Sequence, residues 1–113
     1  MTCILCAIAS GEEPSEVHFE DANCVAITPL RPMAPTHVLL FPRMHVADLP
    51  SYLEGSPESA GRLMRQAAQI ARTLGLADRG YRLAWNFGPD TNQRIMHPHL
   101  HLLGGRPLSE QLG

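Results

Sequence analysis

The sequence lacks a long apolar run and a strong net charge. Its apolar stretches fall far short of the ~20 residues that a membrane-spanning helix needs, and its first residues lack the basic region and long apolar stretch of a signal peptide. We therefore expect a cytoplasmic protein with no membrane partner. The formal net charge of −2 provides no general attraction to a nucleic acid polymer, so we expect no such partner either.

Cysteine is also scarce. Three cysteines cannot all pair within one chain, and this odd number disfavours a disulfide framework. Cys3 and Cys6 form a Cys-x-x-Cys motif, which in a reducing compartment indicates a metal site, redox chemistry or packing, whereas Cys24 lies in a predicted buried strand. With 113 residues the chain is long enough for one core and too short for two, so residues 1–113 are expected to form one domain.

Histidine is concentrated in one segment. Three of the six histidines stand there at alternate positions, namely His97, His99 and His101. In an extended strand, alternate side chains share one face at a spacing of about 7 Å. We therefore predict that the three imidazoles line one surface of a strand and that Leu100 and Leu102 point into the core. Pro98, which has no N–H, fits the beginning of this strand, and the pair Gly104-Gly105 is predicted to end it.

Three interpretations of this histidine pattern are open. In the first, these are ordinary surface or core residues, which the strict alternation with apolar residues disfavours. In the second, three imidazoles bind a zinc ion whose fourth position is open to water. In the third, one imidazole is a nucleophile whose neighbours fix its tautomer and neutralise the anion that it attacks.

Hydrophobic periodicity and turn residues predict an α+β fold. A long helix is predicted from Pro57 to Leu74, with Ser56 as its capping residue, Gly75 as its stop and an apolar stripe that includes Met64 and Leu74. A short helix is predicted at 3–9, a loop at 51–56, and strands at 17–20, 24–27, 37–41, 81–86 and from 97 onward. The expected fold is a five-stranded, mainly antiparallel sheet with one long and one short helix.

The segment His97-Pro98-His99-Leu100-His101-Leu102-Leu103 resembles the histidine triad (HIT) motif, in which histidine alternates with hydrophobic residues. Five further segments are similar to the Hint-like branch of this family: Cys3-Ile4-Leu5-Cys6, Ala34-Pro35-Thr36-His37, Pro42-Arg43-Met44-His45, Gly80-Tyr81-Arg82 and Leu103-Gly104-Gly105-Arg106. The resemblance implies a homodimer whose sheets join across a twofold axis. It also implies an enzyme that cleaves a nucleoside monophosphate from an amine or another leaving group.

The resemblance also assigns roles to individual residues. His99 is expected to be the nucleophile that attacks the α-phosphorus and gives a nucleotidyl-histidine, which water then hydrolyses. His97 is expected to orient this ring, and His101 to donate to the phosphate oxygens. The expected substrate-binding residues are Gln93, Asn86, Arg94 and His37.

Two residues depart from the family pattern within the expected site. Arg94 stands where the family has a small hydroxyl residue that supplies a proton toward the leaving group; arginine keeps its proton at neutral pH, although it can clamp phosphate. Pro29 stands where the family has an acid that grips the ribose hydroxyls, and proline has no side-chain group that can replace it. Ribose is therefore expected to be recognised poorly.

A second resemblance concerns metal. Certain bacterial histidine triad proteins, and the related hexose-1-phosphate uridylyltransferases, hold a structural zinc through two N-terminal cysteines, a histidine after the central strand and the first triad histidine. The corresponding residues are Cys3, Cys6, His45 and His97, a donor set that suits tetrahedral zinc. Close relatives also keep the cysteines without binding metal, so a structural zinc and a metal-free cluster are both open. No organic cofactor is expected.

Together these features favour a nucleoside phosphoramidase or nucleotide hydrolase of the histidine triad type. Two alternatives are open, and Pro29 and Arg94 favour the first of them. One is a non-catalytic nucleotide-binding or interaction module. The other is a triad enzyme that acts on a phosphate substrate other than a ribonucleotide.

Overall fold

The computed structural model describes residues 3–112. Three α-helices lie in this range: α1 (Ile4–Ser10), α2 (Leu49–Gly55) and α3 (Pro57–Thr73). The strands are β1 (Val17–Glu20), β2 (Cys24–Ile27), β3 (Thr36–Pro42), β4 (Tyr81–Trp85) and β5 (Leu100–Gly104). A short 3₁₀ helix, Pro89–Thr91, lies between β4 and β5.

The five strands form one sheet in the order β1-β2-β3-β5-β4, and each neighbouring pair is antiparallel. This confirms the predicted α+β fold. The register of the two inner strands places Leu39 opposite His101 and His37 opposite Leu103. Residues that are far apart in the sequence therefore meet at the centre of the sheet.

The two faces of the sheet carry separate apolar clusters, because successive strand residues point to opposite faces. Leu100 and Leu102 are fully buried on the face covered by α3, as predicted. On the other face, Leu5 of α1 packs against Leu39 and three further core residues, Val25, Ile27 and Phe41. His101 lies on this α1 face, since it alternates with Leu100 and Leu102.

The histidine strand begins later than predicted. β5 starts at Leu100, so His97 and His99 precede it and only His101 lies within it. The prediction of a strand from His97 was wrong because Pro98 is buried at this point and has no N–H to donate to the sheet. His97 and His99 are held by individual hydrogen bonds instead.

Residues 51–56 were predicted as a loop, and this was wrong because most of them belong to α2. The side chain of Asp48 caps this helix by accepting a hydrogen bond from the Ser51 N–H (2.8 Å), and a proline lies in the first turn. Tyr52 is buried, and its hydroxyl is 2.8 Å from the Ser59 hydroxyl of α3. The buried aromatic ring fixes a helix that is too short to be stable alone.

The limits of α3 agree with the prediction, but its cap and two apolar residues do not. The Ser56 side chain makes no capping hydrogen bond; instead its N–H donates to the Tyr52 carbonyl (2.8 Å) as the end of α2. Met64 and Leu74 are exposed because they lie at the margins of the apolar stripe. Gly75 adopts φ +80°, the left-handed conformation that ends a helix.

None of the helices within residues 3–112 combines the length and the apolar character that a membrane crossing requires.

Candidate active site

The tautomer of His99 follows from one hydrogen bond. Its Nδ1 lies 2.8 Å from the backbone carbonyl oxygen of His97. A carbonyl oxygen only accepts, so Nδ1 carries the proton and donates it. In the neutral ring, Nε2 is then unprotonated and has a free lone pair. The structure therefore gives His99 the form that a nucleophile requires.

His101 is oriented by a chain of two hydrogen bonds that starts at the backbone. The N–H of Met33 donates to Nδ1 of His37 (3.0 Å), so neutral His37 carries its proton on Nε2. This Nε2–H donates to Nδ1 of His101 (3.0 Å), which leaves the proton of His101 on Nε2. The rings of His99 and His101 are 5.1 Å apart between centroids. The site thus pairs an imidazole lone pair with an imidazole N–H donor.

His37 is buried beside His101 and is only 5% exposed. His37 was expected to bind substrate; its observed hydrogen bonds are with the Met33 N–H and with His101. The backbone contact could not be read from the sequence, because any residue at position 33 other than proline supplies an N–H.

The surroundings of His37 and His101 favour the neutral form of both rings. Burial lowers the pKa of His37, with His99 adding to the effect. Burial, together with smaller effects of the neighbouring His99 and His37, lowers the pKa of His101 to about 4. The hydrogen-bond assignment above, which requires neutral rings, is therefore consistent with neutral pH.

The depressed pKa of His101 makes stability depend on pH. Below about pH 6.5, His101 is protonated in the unfolded chain but stays neutral in the folded protein. The free energy of unfolding should therefore fall as the pH drops from about 6.5 to about 4. We expect His101→Gln to remove roughly 2 kcal/mol of this loss, a value discounted because the ring is partly open to solvent. Urea unfolding of the wild type and the variant across this pH range measures the difference. The same pH dependence of the free energy of unfolding in both proteins would contradict the depressed pKa of His101.

A second cluster lies next to the triad. The Nδ1 atom of His97 is 3.4 Å from Cys3 Sγ, 3.6 Å from Cys6 Sγ and 3.2 Å from His45 Nδ1. The four donor atoms of Cys3, Cys6, His45 and His97 all lie within 4.8 Å of one another. The structure therefore brings together the four residues that were expected to bind metal, and they form a candidate metal site.

The donor atoms also have suitable form and spacing. The Nε2–H of His97 donates to the Pro42 carbonyl (2.7 Å), so its Nδ1 lone pair faces the two thiols. Zinc bonds of about 2.0–2.1 Å to nitrogen and 2.3 Å to sulfur require tetrahedral donors to lie roughly 3.3–3.8 Å apart. The spacings of 3.4 and 3.6 Å lie within this range, and the spacing of 3.2 Å lies just below it.

The electrostatics of this cluster favour a cation. Burial raises the pKa of the Cys6 thiol, and the neighbouring Cys3 raises it further through a hydrogen bond and through repulsion between the two thiolates. Burial lowers the pKa of His97, and the nearby His45 and His99 act in the same direction. A divalent cation would stabilise both thiolates and both neutral imidazoles.

Residue 97 connects the two clusters. Its ring is fully buried, is bound by Pro42 and contacts Phe41 edge-on at 5.5 Å between centroids. Its backbone carbonyl accepts the Nδ1–H of His99. Fixing the ring of His97 therefore fixes the group that determines the tautomer of His99.

The other expected substrate-binding residues lie in the chain that leads to His97. Gln93 accepts a hydrogen bond from the Gly88 N–H (2.9 Å) and donates to the Ile95 carbonyl (2.9 Å), so its amide closes this loop and keeps one further N–H. Asn86 is half-buried directly after β4. Arg94 is exposed, and in residues 3–112 no hydrogen bond or ion pair of its guanidinium is present. Within residues 3–112 no hydrogen bond or ion pair links these three side chains to the triad histidines.

Comparison with known proteins agrees with this geometry. The family model for the HIT domain matches residues 10–108. The purine nucleoside phosphoramidase of Escherichia coli (strain K12) is 36% identical over 109 residues, which cover 96% of this chain and 92% of that protein. The crystal structure of a HIT family hydrolase from Legionella pneumophila Philadelphia 1 is similar with a TM-score of 0.95 and 39% identity, covering 99% of this chain and 100% of that one.

A further similar structure bears on the cysteine-histidine cluster. It is that of a Zn-bound histidine triad family protein from Mycobacterium smegmatis, with a TM-score of 0.81 and 32% identity over 97% of this chain and 79% of that one. The family match and the relatives cover almost the whole chain, including the triad segment. This chain therefore belongs to the HIT domain family and is a hydrolase of that family.

Proposed function

We propose that this protein hydrolyses nucleoside phosphoramidates and related nucleoside monophosphate derivatives through a covalent bond to His99. The observation that carries the proposal is the hydrogen bond from Nδ1 of His99 to the His97 carbonyl, which leaves Nε2 free to attack. The name of the Escherichia coli relative, a purine nucleoside phosphoramidase, supports the substrate class. Release of nucleoside monophosphate from adenosine phosphoramidate by the purified protein is the direct test.

In the first step, Nε2 of His99 attacks the α-phosphorus in line with the leaving group, the phosphorus–nitrogen bond of the substrate breaks, and the leaving nitrogen takes a proton from solvent water. Positive charge develops on the His99 ring, and the carbonyl of His97 stabilises it through the Nδ1–H. The Nε2–H of His101 is available to a phosphate oxygen, where negative charge accumulates.

In the second step, water attacks the phosphorus and displaces His99, which returns to its neutral form. Over both steps one water is consumed: its hydroxyl joins the phosphorus, and the proton that it releases to solvent in the second step balances the one that the amine took in the first. Arg94 cannot supply this proton at neutral pH, so we assign Arg94, Asn86 and the remaining N–H of Gln93 to binding of the phosphate.

We also propose that Cys3, Cys6, His45 and His97 hold a structural zinc ion. The spacing of the donor atoms and the Zn-bound relative support this. When bound, zinc supplies no chemical step but ties the N-terminal helix to the triad and fixes the ring of His97.

The open edge of the sheet supports a homodimer. β4 pairs with β5 on one side, and within residues 3–112 no strand pairs with its other side. An unpaired edge is a template for a second strand, and two copies of β4 related by a twofold axis would join two sheets. Light scattering should then give about twice the monomer mass of 12.4 kDa.

The reduced cysteines support a cytoplasmic location. Cys3, Cys6 and Cys24 are free thiols, and thiols persist in the reducing conditions of the cytosol.

Pro29 favours a second candidate function, that of a triad enzyme that does not recognise the ribose hydroxyls of its substrate. Pro29 is half-buried two residues after β2 and offers no side-chain hydrogen bond to a sugar hydroxyl.

We expect the ratio of kcat/KM for adenosine and 2′-deoxyadenosine phosphoramidates to be below about ten. Each charge-assisted contact to ribose is worth roughly 1.5–3 kcal/mol, and Pro29 makes no such contact. Pro29→Asp is the matched variant, and it should raise this ratio. A wild-type ratio above about one hundred, nearly 3 kcal/mol of discrimination, would contradict the prediction.

A further inference from the structure

The side chain of Arg43 joins the last turn of α1 to residues 20–21 at the end of β1. Its Nη1 donates to the Ala9 carbonyl (2.7 Å), its Nε to the Asp21 carbonyl (2.6 Å), and its Nη2 to the Glu20 carboxylate (2.9 Å). The planar guanidinium presents donors in fixed directions, so three partners define its position.

The contact with Ala9 stabilises the helix that carries the two thiols. α1 has seven residues, and isolated helices of this length are unstable in water. The Ala9 carbonyl lies in the last turn, where carbonyls have no partner within the helix. Arg43 supplies that partner and places a positive charge at the negative end of the helix dipole. Cys3 and Cys6 lie at the other end of α1.

The backbone of Arg43 is equally well fixed beside the two imidazoles. It follows Pro42, whose carbonyl accepts the Nε2–H of His97, and it precedes His45 by two positions. The N–H of Arg43 donates to the Asn23 carbonyl (2.9 Å). A single residue therefore connects the helix that carries the thiols with the chain segment that orients both histidines.

We propose that Arg43 is a positioning residue that presets the metal cluster by holding α1 against residues 42–45. The inference rests on the zinc site of the proposed function. Glutamine cannot make three such contacts at once. Lysine keeps the charge but not the planar set of donors. The affinity for zinc should therefore decrease from arginine to lysine to glutamine.

Competition with a chromophoric chelator measures this order. Arg43→Gln should weaken zinc binding at least about tenfold, as is typical when a group that orients metal ligands is removed, and Arg43→Lys should be intermediate. Arg65→Gln is the matched control, since Arg65 is exposed on α3 and should leave the affinity unchanged. The lysine variant provides the comparison if the glutamine variant does not fold.

Alkylation of the thiols in metal-free protein provides a second readout that does not depend on zinc. In Arg43→Gln, α1 should open more often, so Cys3 and Cys6 should react about fivefold faster or more, while Arg65→Gln should react at the wild-type rate. If wild-type protein binds no zinc, the zinc proposal fails, and alkylation still decides whether Arg43 orders the thiols. Unchanged zinc affinity together with unchanged alkylation would overturn the inference, even if the melting temperature fell.

Discussion

His99→Ala is expected to lower kcat on adenosine phosphoramidate by about 10⁴-fold or more and to leave the melting temperature nearly unchanged. The substitution removes the atom that bonds to phosphorus, for which no other side chain can substitute. The structural cost is small, because the ring is half-buried and its hydrogen bond to the His97 carbonyl is worth about 1 kcal/mol. Steady-state kinetics and thermal unfolding measure the two effects.

His18→Ala is the matched control for this experiment. His18 is an exposed strand residue whose Nε2 is 2.6 Å from the Thr28 hydroxyl, far along the chain from the triad. Its loss should leave kcat unchanged. Residual activity in the His99 variant above about one per cent of wild type would contradict the role of His99 as the nucleophile.

Removal of zinc is expected to lower the melting temperature by about 10 °C or more. A ligand that binds only the folded state contributes roughly 4 kcal/mol when its concentration is a thousand times its dissociation constant, and 1 kcal/mol shifts the midpoint of a domain of this size by about 4 °C. Protein purified without chelator should contain one zinc per chain. The double variant Cys3→Ser, Cys6→Ser should contain none and should melt where chelator-treated wild type melts.

Cys24→Ala is the control for the cysteine substitutions, since Cys24 is buried in β2 and lies outside the cluster. It should keep one zinc per chain, whatever its own effect on packing. Elemental analysis that finds well under one zinc per chain in wild type would refute the structural zinc. It would not exclude His99 as the nucleophile, because the Pro42 carbonyl also holds the ring of His97, and the hydrogen bond from His99 Nδ1–H is made to a backbone carbonyl.

The overall fold could be predicted because its signals are local and repeated. The alternation around Leu100 and Leu102, and the helical periodicity from Pro57 onward, reflect which side chains are buried. The four cluster residues were found through their resemblance to a family, and the structure brings them together. Residues that interact by their own side chains in a known pattern are therefore accessible to sequence analysis.

The missing details depend on backbone groups and on packing across the chain. The Met33 N–H and the Pro42 carbonyl orient two of the histidines, and neither group has a sequence signature. The contact of His37 with His101 follows from the register of β3 and β5, which pairs His37 with Leu103 and Leu39 with His101 and so makes the two histidines diagonal neighbours. The helix α2 was missed because its stability comes from Tyr52 packing against the body of the protein.

Mass spectrometry of the acid-sensitive intermediate tests the central claim most directly. Protein mixed with excess adenosine phosphoramidate and rapidly quenched under basic conditions should carry one nucleoside monophosphate per chain, attached to His99 in the peptide that contains residues 97–101. Turnover by wild type with no adduct on His99, or with an adduct on another residue, would contradict the mechanism.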